Sequence, residues 1–233
     1  MSIQQGPYKI PLKRGFKIIF DGHFCGGRKY LGYILKEICE LKFLDYGLMY
    51  KALGYINTFD CWTNGPDSAE RATEEFIEGI DHSKLKTLYP EDKAECIATG
   101  DYGYLRDQLV LNRDKYFNQD APLILSGRHL AAAYPEADLK IFITADFNTR
   151  FLRYKAKIDE GGYQPRFQRE IRNDDKRVKE NDYTHYWDIP GEYLPGHPNY
   201  QENTMIFDTT GMSVGEQIEK LLEIIEGFGG MAR

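Results

Sequence analysis

Residues 17–37, KIIFDGHFCGGRKYLGYILKE, decide the fold of this chain. The first four residues form a short, largely apolar run of the kind that becomes a buried strand. Residues 21–27 form a glycine-bearing turn, and further along apolar side chains recur at helical spacing, at Leu31, Ile34, Leu35, Ile38 and Leu41. The stretch therefore predicts a strand, a turn and a helix (residues 30–41) in direct succession.

A turn in this position can bind an anion, because its backbone N–H groups and the helix N-terminus together form a cradle. The P-loop pattern G-x-x-x-x-G-K-[ST] has its glycines at the spacing of Gly22 and Gly27. Arg28 stands where the lysine belongs, and Lys29 stands where the serine or threonine belongs. The residues predicted to line the cradle are Gly22, Cys25, Gly26, Gly27, Arg28, Lys29 and Tyr30.

Composition limits the class of protein. The chain has 233 residues and a net charge of −6, so no overall basic field favours nucleic acid as a partner, and the composition disfavours such a partner without excluding it. The four cysteines form no CxxC pair and show no metal-ligand spacing, which favours reduced, mostly buried thiols. No signal peptide and no apolar stretch long enough for a bilayer is evident, so the sequence predicts a soluble, cytoplasmic protein without a membrane partner.

The remaining elements alternate between strand and helix. This alternation predicts an α/β fold with a parallel sheet covered by helices on both faces. Residues 43–53 begin as a brief strand and pass into a helix, and Ser213 is the expected N-cap of the last helix. The other predicted strands are 122–125, 139–144 and 204–207, and the other predicted helices are 105–117, 148–157 and 213–227.

A single domain is predicted over residues 1–233. Its core comprises residues 16–56 and 104–233 and includes a lid near 158–203, while the polar residues 57–103 form an insertion. Short helices are expected within 74–80 and 167–181. Residues 1–15 contain two prolines and no clean periodicity, so we expect a loose arm or an irregular leader there.

Together with the glycine-bearing turn, several stretches resemble the cytidylate kinases of the P-loop nucleoside monophosphate kinase family. The resemblance runs, with gaps, from Lys17 to about Glu226. It rests on FLDYGLMYKAL at 43–53, LRDQL at 105–109 with Asn112-Arg113, SGRH at 126–129, YPEADLKIF at 134–142, DKR at 175–177 and FDTTGMS at 207–213.

This resemblance implies a three-layer P-loop NTPase fold with a small acceptor-binding insertion and a helical lid. It also implies transfer of the γ-phosphoryl group from ATP to a nucleotide, a reaction in which the protein supplies mainly positioning and positive charge. The residues that match catalytic positions are Arg28, Lys29, Arg150, Arg153 and Arg177. Those that match substrate-binding positions are Asp45, Tyr46, Lys51, Arg113, Arg128, His129 and Lys176.

The chain departs from the family pattern where Mg²⁺ is held. Lys29 cannot ligand a metal as a hydroxyl would, and Ser126 and His129 replace the two acids of D-G-R-D. We therefore expect ATP as cofactor, with Mg²⁺ only weakly held, and assign no metal ligand. Tyr46 replaces a small hydroxyl residue and Lys51 an arginine, so the acceptor is expected to be a pyrimidine or modified nucleotide rather than simply cytidine monophosphate.

Two alternatives remain open from the sequence. The chain could be a pseudoenzyme that keeps the fold as a nucleotide-binding or scaffold module, because four metal-proximal positions are altered. It could also be a kinase that acts on a base or sugar in a polynucleotide, although the acidic pI near 5.5 disfavours this alternative. The sequence predicts no oligomeric state.

Overall fold

The computed structural model describes residues 9–59, 103–127, 130–159 and 202–232. Within these ranges the chain forms five strands and six helices. The strands are β1 (Lys17–Gly22), β2 (Lys42–Asp45), β3 (Leu123–Ser126), β4 (Leu139–Thr144) and β5 (Thr204–Asp208). The helices are α1 (Arg28–Ile38), α2 (Tyr46–Phe59), α3 (Gly103–Phe117), α4 (Leu130–Ala133), α5 (Phe147–Asp159) and α6 (Val214–Gly227).

The strands form one sheet in the order β2-β3-β1-β4-β5, which confirms the predicted five-stranded parallel α/β fold. β1 lies at the centre, where Ile18 pairs with Ile124 of β3 on one side and with Leu139 of β4 on the other. From β1 the chain runs to the edge strand β2, returns to β3 beside β1, and then crosses to β4 on the other side. In sheets of this kind ligands bind beyond the carboxyl ends of the strands at the point where the direction changes, which here is the end of β1.

Side chains alternate between the two faces of the sheet along each strand. Helices cover both of these faces. On one face Ile141 and Ile143 of β4 join a buried cluster with Leu35 of α1 and Leu221 of α6. On the opposite face Phe142 packs with Ala131 of α4. The described helices include none that is long and apolar enough to cross a membrane.

The chain divides into two compact units. The first comprises Met1–Phe43 and Ala121–Arg233 and contains most of the sheet. The second is Leu44–Asp120, in which α2 contacts α3 and the side chains of Met49, Leu53 and Leu109 are fully buried. Most of the predicted insertion (57–103) and most of the predicted lid (near 158–203) lie outside the described ranges. Both stay predictions, as do the helices expected within 74–80 and 167–181.

Most predicted elements are confirmed within a few residues, and β4 matches its prediction residue for residue. Of the two alternatives for residues 1–15, residues 9–15 form the irregular leader rather than a loose arm. There Ile10 forms a bridge with Cys39 and Leu12 forms one with Met231, and the Leu12 side chain is buried in the core. The sequence analysis also missed α4, which has only four residues and therefore shows no helical period.

Cys25 and Cys39 are the two described cysteines, and neither is part of a disulfide. Cys39 is buried, and burial raises the pKa of its thiol to about 11, so it is an inert core residue. Cys25 is half-buried in the turn that follows β1. Cys61 and Cys96 lie outside the described residues.

Candidate functional site

The turn between β1 and α1, hereafter the 22–27 loop, has an unusual backbone. Three of its six residues have positive φ: Gly22 (143°), Cys25 (57°) and Gly27 (111°). Internal hydrogen bonds hold this shape, because the His23 N–H donates to the Ile143 carbonyl at 3.1 Å and the Gly26 N–H donates to the His23 carbonyl at 3.1 Å. Backbones that alternate between right- and left-handed conformations form concavities lined by N–H groups, which bind anions.

Glycine is required in this loop because the loop runs against the end of β4. A Cβ atom at Gly22 would lie 2.0 Å from the Ile143 carbonyl oxygen, and one at Gly26 would lie 2.7 Å from the same atom. Real Cβ atoms do not approach backbone oxygens so closely, so neither position accepts a side chain without displacement of β4. Of the two glycines matched to the P-loop pattern, Gly22 therefore has a direct packing reason. Gly27 is favoured instead by its positive φ of 111°, since a Cβ there would meet other atoms only at 3.7 Å or more.

Arg153 of α5 and Thr209 after β5 hold the carbonyl side of the loop. Arg153 Nη1 donates to the Gly26 carbonyl at 2.9 Å, to Thr209 Oγ1 at 2.9 Å and to the Cys25 carbonyl at 3.3 Å. Thr209 Oγ1 itself lies 3.0 Å from the Gly26 carbonyl oxygen and 2.8 Å from the Thr144 carbonyl oxygen. Burial is the largest cause of a lowered pKa at Arg153.

These contacts determine the direction of one loop amide. In a planar trans peptide the C=O and the following N–H point in opposite directions. Because Arg153 and Thr209 hold the Gly26 carbonyl, the N–H of Gly27 points away from them. Arg153 and Thr209 therefore favour the loop conformation that turns this donor away from α5.

The N-terminus of α1 continues the cradle. Gly27 is its N-cap residue and provides no side-chain hydrogen bond, and the first turn contains no acidic residue. The first N–H groups of a helix have no intrahelical acceptor, and the helix dipole places partial positive charge there. The 22–27 loop and this helix start can together bind a phosphate through main-chain donors, whichever side chains flank them.

The two basic residues that open α1 face different surroundings. Arg28 Nη1 donates to the Gly127 carbonyl at 3.0 Å and lies 3.8 Å from Asp21 Oδ1, at the ends of β3 and β1. Lys29 Nζ lies 5.9 Å from the ring centre of Tyr33, one turn along the helix. Tyr30, the last residue predicted to line the cradle, is 57% exposed.

Arg150, the other arginine predicted on α5, is buried, and its Nε donates to the Ala145 carbonyl at 2.9 Å. These hydrogen bonds of the two α5 arginines are thus with protein groups at the carboxyl end of the sheet. Nearby, Asp146 Oδ1 accepts the Thr149 N–H at 2.7 Å, and hydrogen bonds from Thr149 are the main cause of the lowered pKa of Asp146. A phosphate-facing role for Arg150 and Arg153 stays a prediction.

The second unit contains the predicted acceptor residues Asp45, Tyr46 and Arg113. Asp45 Oδ1 accepts the Gly47 N–H at 3.0 Å and thereby caps α2. The Arg113 guanidinium lies 5.0 Å from the ring centre of Tyr46 and donates to Asp114 Oδ1 at 3.2 Å through both Nε and Nη2. The side chains of Tyr46 and Arg113 are buried, so the aromatic ring and the cation form one packed pair.

The other predicted site residues fall outside what the structure describes. Arg128, His129, Lys176 and Arg177 lie outside the described ranges, and the side chain of Lys51 is likewise not described. Among the described residues no group of three or more His, Cys, Asp or Glu side chains could hold a metal ion.

The sequence analysis matched Thr209 to a family motif but did not include it among the site residues. A residue just beyond a strand of a parallel sheet lies at the same edge as the loop after β1, and this placement was the available signal. Gln217 of α6 was also missed. Its Oε1 is 3.8 Å from the position that a Cβ on Gly27 would occupy.

Comparisons with known proteins show which family this chain is similar to. The family model described as "Cytidylate kinase" matches residues 18–227. A cytidylate kinase of Streptococcus pyogenes is 25% identical, covering 94% of this chain and all of the relative, and one of Acholeplasma laidlawii is 23% identical, covering 93% and 98%. The crystal structure of TT1252 from Thermus thermophilus aligns with 92% of this chain and 98% of that chain, at a TM-score of 0.46 and 14% identity.

Proposed function

The chain belongs to the cytidylate kinase family, and on this premise we propose that it moves the γ-phosphoryl group of ATP to a pyrimidine or modified nucleoside monophosphate. Membership implies phosphotransferase chemistry of the nucleoside monophosphate kinase type, with ATP and generally Mg²⁺. In that reaction an acceptor phosphate oxygen attacks the γ-phosphorus, and ADP and a nucleoside diphosphate leave.

The observation that carries the proposal is the backbone of the 22–27 loop. Its three positive φ angles, the carbonyls held by Arg153 and Thr209, and the α1 start without a side-chain cap are what a bound polyphosphate requires. None of these features depends on the two altered residues at the start of α1. The loop can therefore bind phosphate although Arg28 and Lys29 replace the usual lysine and hydroxyl residue.

We assign the catalytic cations as follows. Arg28 and Lys29 at the start of α1, with Arg150 and Arg177, supply positive charge to the transferring phosphoryl group. An arginine finger in such a position increases the rate by about a thousandfold or more. Arg153 acts as a positioning residue, since its contacts are with the loop carbonyls. Lys176 and Arg128 remain proposed nucleotide contacts.

The acceptor side is proposed to select its base through Tyr46 rather than through a small hydroxyl residue. The Tyr46 ring packs against Tyr50 with their ring centres 4.9 Å apart and against the Arg113 guanidinium. A buried aromatic surface favours stacking or apolar contact over a hydrogen bond to a base edge. The proposed acceptor therefore includes modified pyrimidines, and strict cytidine selectivity is not expected.

One experiment tests this function. The purified protein is incubated with ATP, Mg²⁺ and each of a panel of nucleoside monophosphates, and ADP release is followed against ATP alone. We expect release above background with at least one pyrimidine monophosphate. ATP binding without release for any acceptor would contradict the kinase proposal and favour the pseudoenzyme, while no ATP binding would contradict both.

The acceptor assignment has its own variant. Tyr46→Ser restores a small hydroxyl, and we expect the KM for cytidine monophosphate to fall by about tenfold while the KM for ATP stays unchanged. Tyr50→Phe is the matched control, because it removes only the hydroxyl that lies 3.3 Å from the Tyr46 hydroxyl. Equal changes for all acceptors would argue against a selective role of Tyr46.

The pseudoenzyme is the second candidate, and a specific observation favours it. Arg28 already donates to the Gly127 carbonyl and lies near Asp21, and Lys29 lies over Tyr33. Side chains engaged in this way serve binding or stability without any need for turnover. The acceptor panel above separates the two candidates.

A further inference from the structure

The first turn of α1 does not fit a protein-held Mg²⁺. In the P-loop pattern the serine or threonine hydroxyl after the lysine ligands the metal. Lys29 has this position here, and its ammonium can only donate hydrogen bonds. Mg²⁺ requires oxygen ligands in near-octahedral geometry, so Lys29 adds like charge instead of a ligand.

The end of β3 also lacks the carboxylate of the family pattern. Ser126 replaces an acid of the family pattern, its side chain is fully buried, and its Oγ has no hydrogen-bond partner among the described residues. The carboxylate at the end of β1, Asp21, accepts the Gly22 N–H at 2.8 Å through Oδ1. The same oxygen lies 3.8 Å from Arg28 Nη1, so a guanidinium already balances its charge.

Arg28 places a permanent positive charge between these strand ends. Its Nη1 is 3.0 Å from the Gly127 carbonyl oxygen, 3.5 Å from the Gly22 carbonyl oxygen and 3.8 Å from Asp21 Oδ1. The side chain is 20% exposed, so it is held in place yet remains reachable from solvent. A guanidinium does not lose its proton in proteins, and it binds phosphate through two parallel hydrogen bonds.

We propose that the 22–27 loop binds its polyphosphate as the metal-free anion, with the Arg28 guanidinium in place of the charge that Mg²⁺ supplies elsewhere. A metal-free triphosphate carries two more negative charges than its Mg²⁺ complex. Two basic residues at the helix start therefore attract the metal-free form more strongly. This inference rests on the proposed nucleotide site but not on turnover.

The test is a calorimetric titration of the protein with ATP at one ionic strength, once in EDTA and once in excess Mg²⁺, repeated with inorganic tripolyphosphate. We expect both ligands to bind at least as tightly in EDTA as in Mg²⁺. Binding that weakens about tenfold or more in EDTA, a difference well above measurement error, would overturn this inference alone. No binding of ATP in either buffer would overturn the proposed function as well.

A restoring variant sharpens the assignment to Arg28 and Lys29. The double variant Arg28→Lys/Lys29→Thr recreates the usual pair, and we expect Mg²⁺ to tighten its ATP binding by about tenfold, because a hydroxyl ligand is now present. Lys36→Thr, in the last turn of the same helix, is the matched control and should keep the wild-type ratio between the two buffers. A double variant that stays indifferent to Mg²⁺ would contradict the assignment.

Loss of folding in the double variant would be seen in a thermal melt. Lys29→Thr alone then provides the test, because the Lys29 side chain is exposed and its replacement disturbs no core contact. The single variant is expected to gain part of the Mg²⁺ dependence. If its affinity for ATP in EDTA and in Mg²⁺ keeps the wild-type ratio, Lys29 does not determine metal use and the inference fails.

Discussion

In the first unit, α1 follows the central strand β1, and α6 follows the edge strand β5. The N-termini of these two helices are built differently. α6 begins with a capping box, in which Ser213 Oγ accepts the Glu216 N–H at 3.3 Å and Glu216 Oε2 accepts the Ser213 N–H at 2.7 Å. α1 follows Gly27, which has no side chain, and opens with Arg28 and Lys29. Side chains at the start of α6 thus accept and donate the hydrogen bonds that cap this helix. No side chain caps the start of α1.

This difference indicates which helix start is built for a ligand. Acidic residues stabilise a helix N-terminus and basic residues oppose the dipole, by about 0.3–1 kcal/mol each. α6 follows the favourable rule with Glu216, while α1 breaks it twice. A helix that begins with two cations and no side-chain cap is stabilised when an anion binds at its start. In the proposed function this anion is the polyphosphate of ATP.

Among the variants that test this difference between the two helix starts, Gly22→Ala is expected to have the largest effect. The added Cβ would lie 2.0 Å from the Ile143 carbonyl oxygen at a φ of 143°, so the loop or β4 must move. We expect the free energy of unfolding to fall by about 3 kcal/mol or more, together with loss of ATP binding. Chemical denaturation and calorimetry measure the two effects.

Gly211→Ala is the control for this variant. Gly211 also has a positive φ, of 69°, but an added Cβ would meet no atom within 4 Å. Its cost should be limited to backbone strain, about 1 kcal/mol, with ATP affinity unchanged. Equal losses in the two variants would show that close packing of the loop is not what matters.

A second, smaller effect is expected for Arg153→Met. The change removes the donors to the Cys25 and Gly26 carbonyls, so the loop peptide is no longer held in one orientation. Hydrogen bonds of this charged type contribute about 1.5–3 kcal/mol, which predicts a decrease in ATP affinity of about tenfold to a hundredfold. Affinity is measured well below the melting temperature, where a purely structural loss would not appear.

Two variants control for Arg153→Met. Lys155→Met, on the exposed surface of the same helix, should leave ATP affinity unchanged. Arg153→Lys should recover part of the lost affinity, because an ammonium can still donate to one carbonyl. If Lys155→Met and Arg153→Met weaken binding alike, the loss reflects general charge rather than loop orientation.

Removal of the cap on α6 tests the other side of the comparison. Ser213→Ala should lower the free energy of unfolding by about 1 kcal/mol and leave ATP affinity unchanged, because that helix start satisfies its own donors. Thermal denaturation and a titration with ATP provide the two readouts. A drop in ATP affinity at unchanged stability would mean that α6, too, serves the ligand.

The smallest expected effect is the pH dependence of the same cap. Hydrogen bonds from Ser213 lower the pKa of Glu216 from its usual 4.5. A carboxyl group with a lowered folded-state pKa stabilises the protein above the unfolded-state pKa, and this contribution is lost as the pH falls through the folded-state value. The stability advantage of the wild type over Glu216→Gln should therefore be full at neutral pH, begin to decrease near pH 4.5, and be lost only as the pH falls through the lower folded-state pKa.

The sequence was enough for most of the fold because each main element has a local pattern. The apolar run of β4 and the periodic spacing of α1 and α6 predict their elements without knowledge of distant contacts. The contacts of residues 9–15 could not be predicted, because they come from pairing with residues far along the chain, Cys39 and Met231. Long-range bridges of this kind leave no periodic signal.

The candidate site was predictable only in its backbone. The spacing of Gly22 and Gly27 indicated the loop, since each glycine is needed for a local conformation. Arg153 and Thr209 hold the loop, but they lie 127 and 183 positions along the chain from Gly26. No local sequence pattern indicates contacts over such separations. The family motif around Thr209 indicated that this residue lies near the site. Its contact with the Gly26 carbonyl depends on where the ends of β4, β5 and α5 lie relative to one another.

The most direct test of the account compares ATP with adenosine as ligands of the wild-type protein, by calorimetry in one buffer. If the 22–27 loop and the start of α1 carry the binding, ATP should bind at least about a hundredfold more tightly than adenosine, because charged hydrogen bonds to phosphate supply most of the affinity. Equal affinity for ATP and adenosine, or no binding of ATP, would contradict the claim that this loop is a phosphate site.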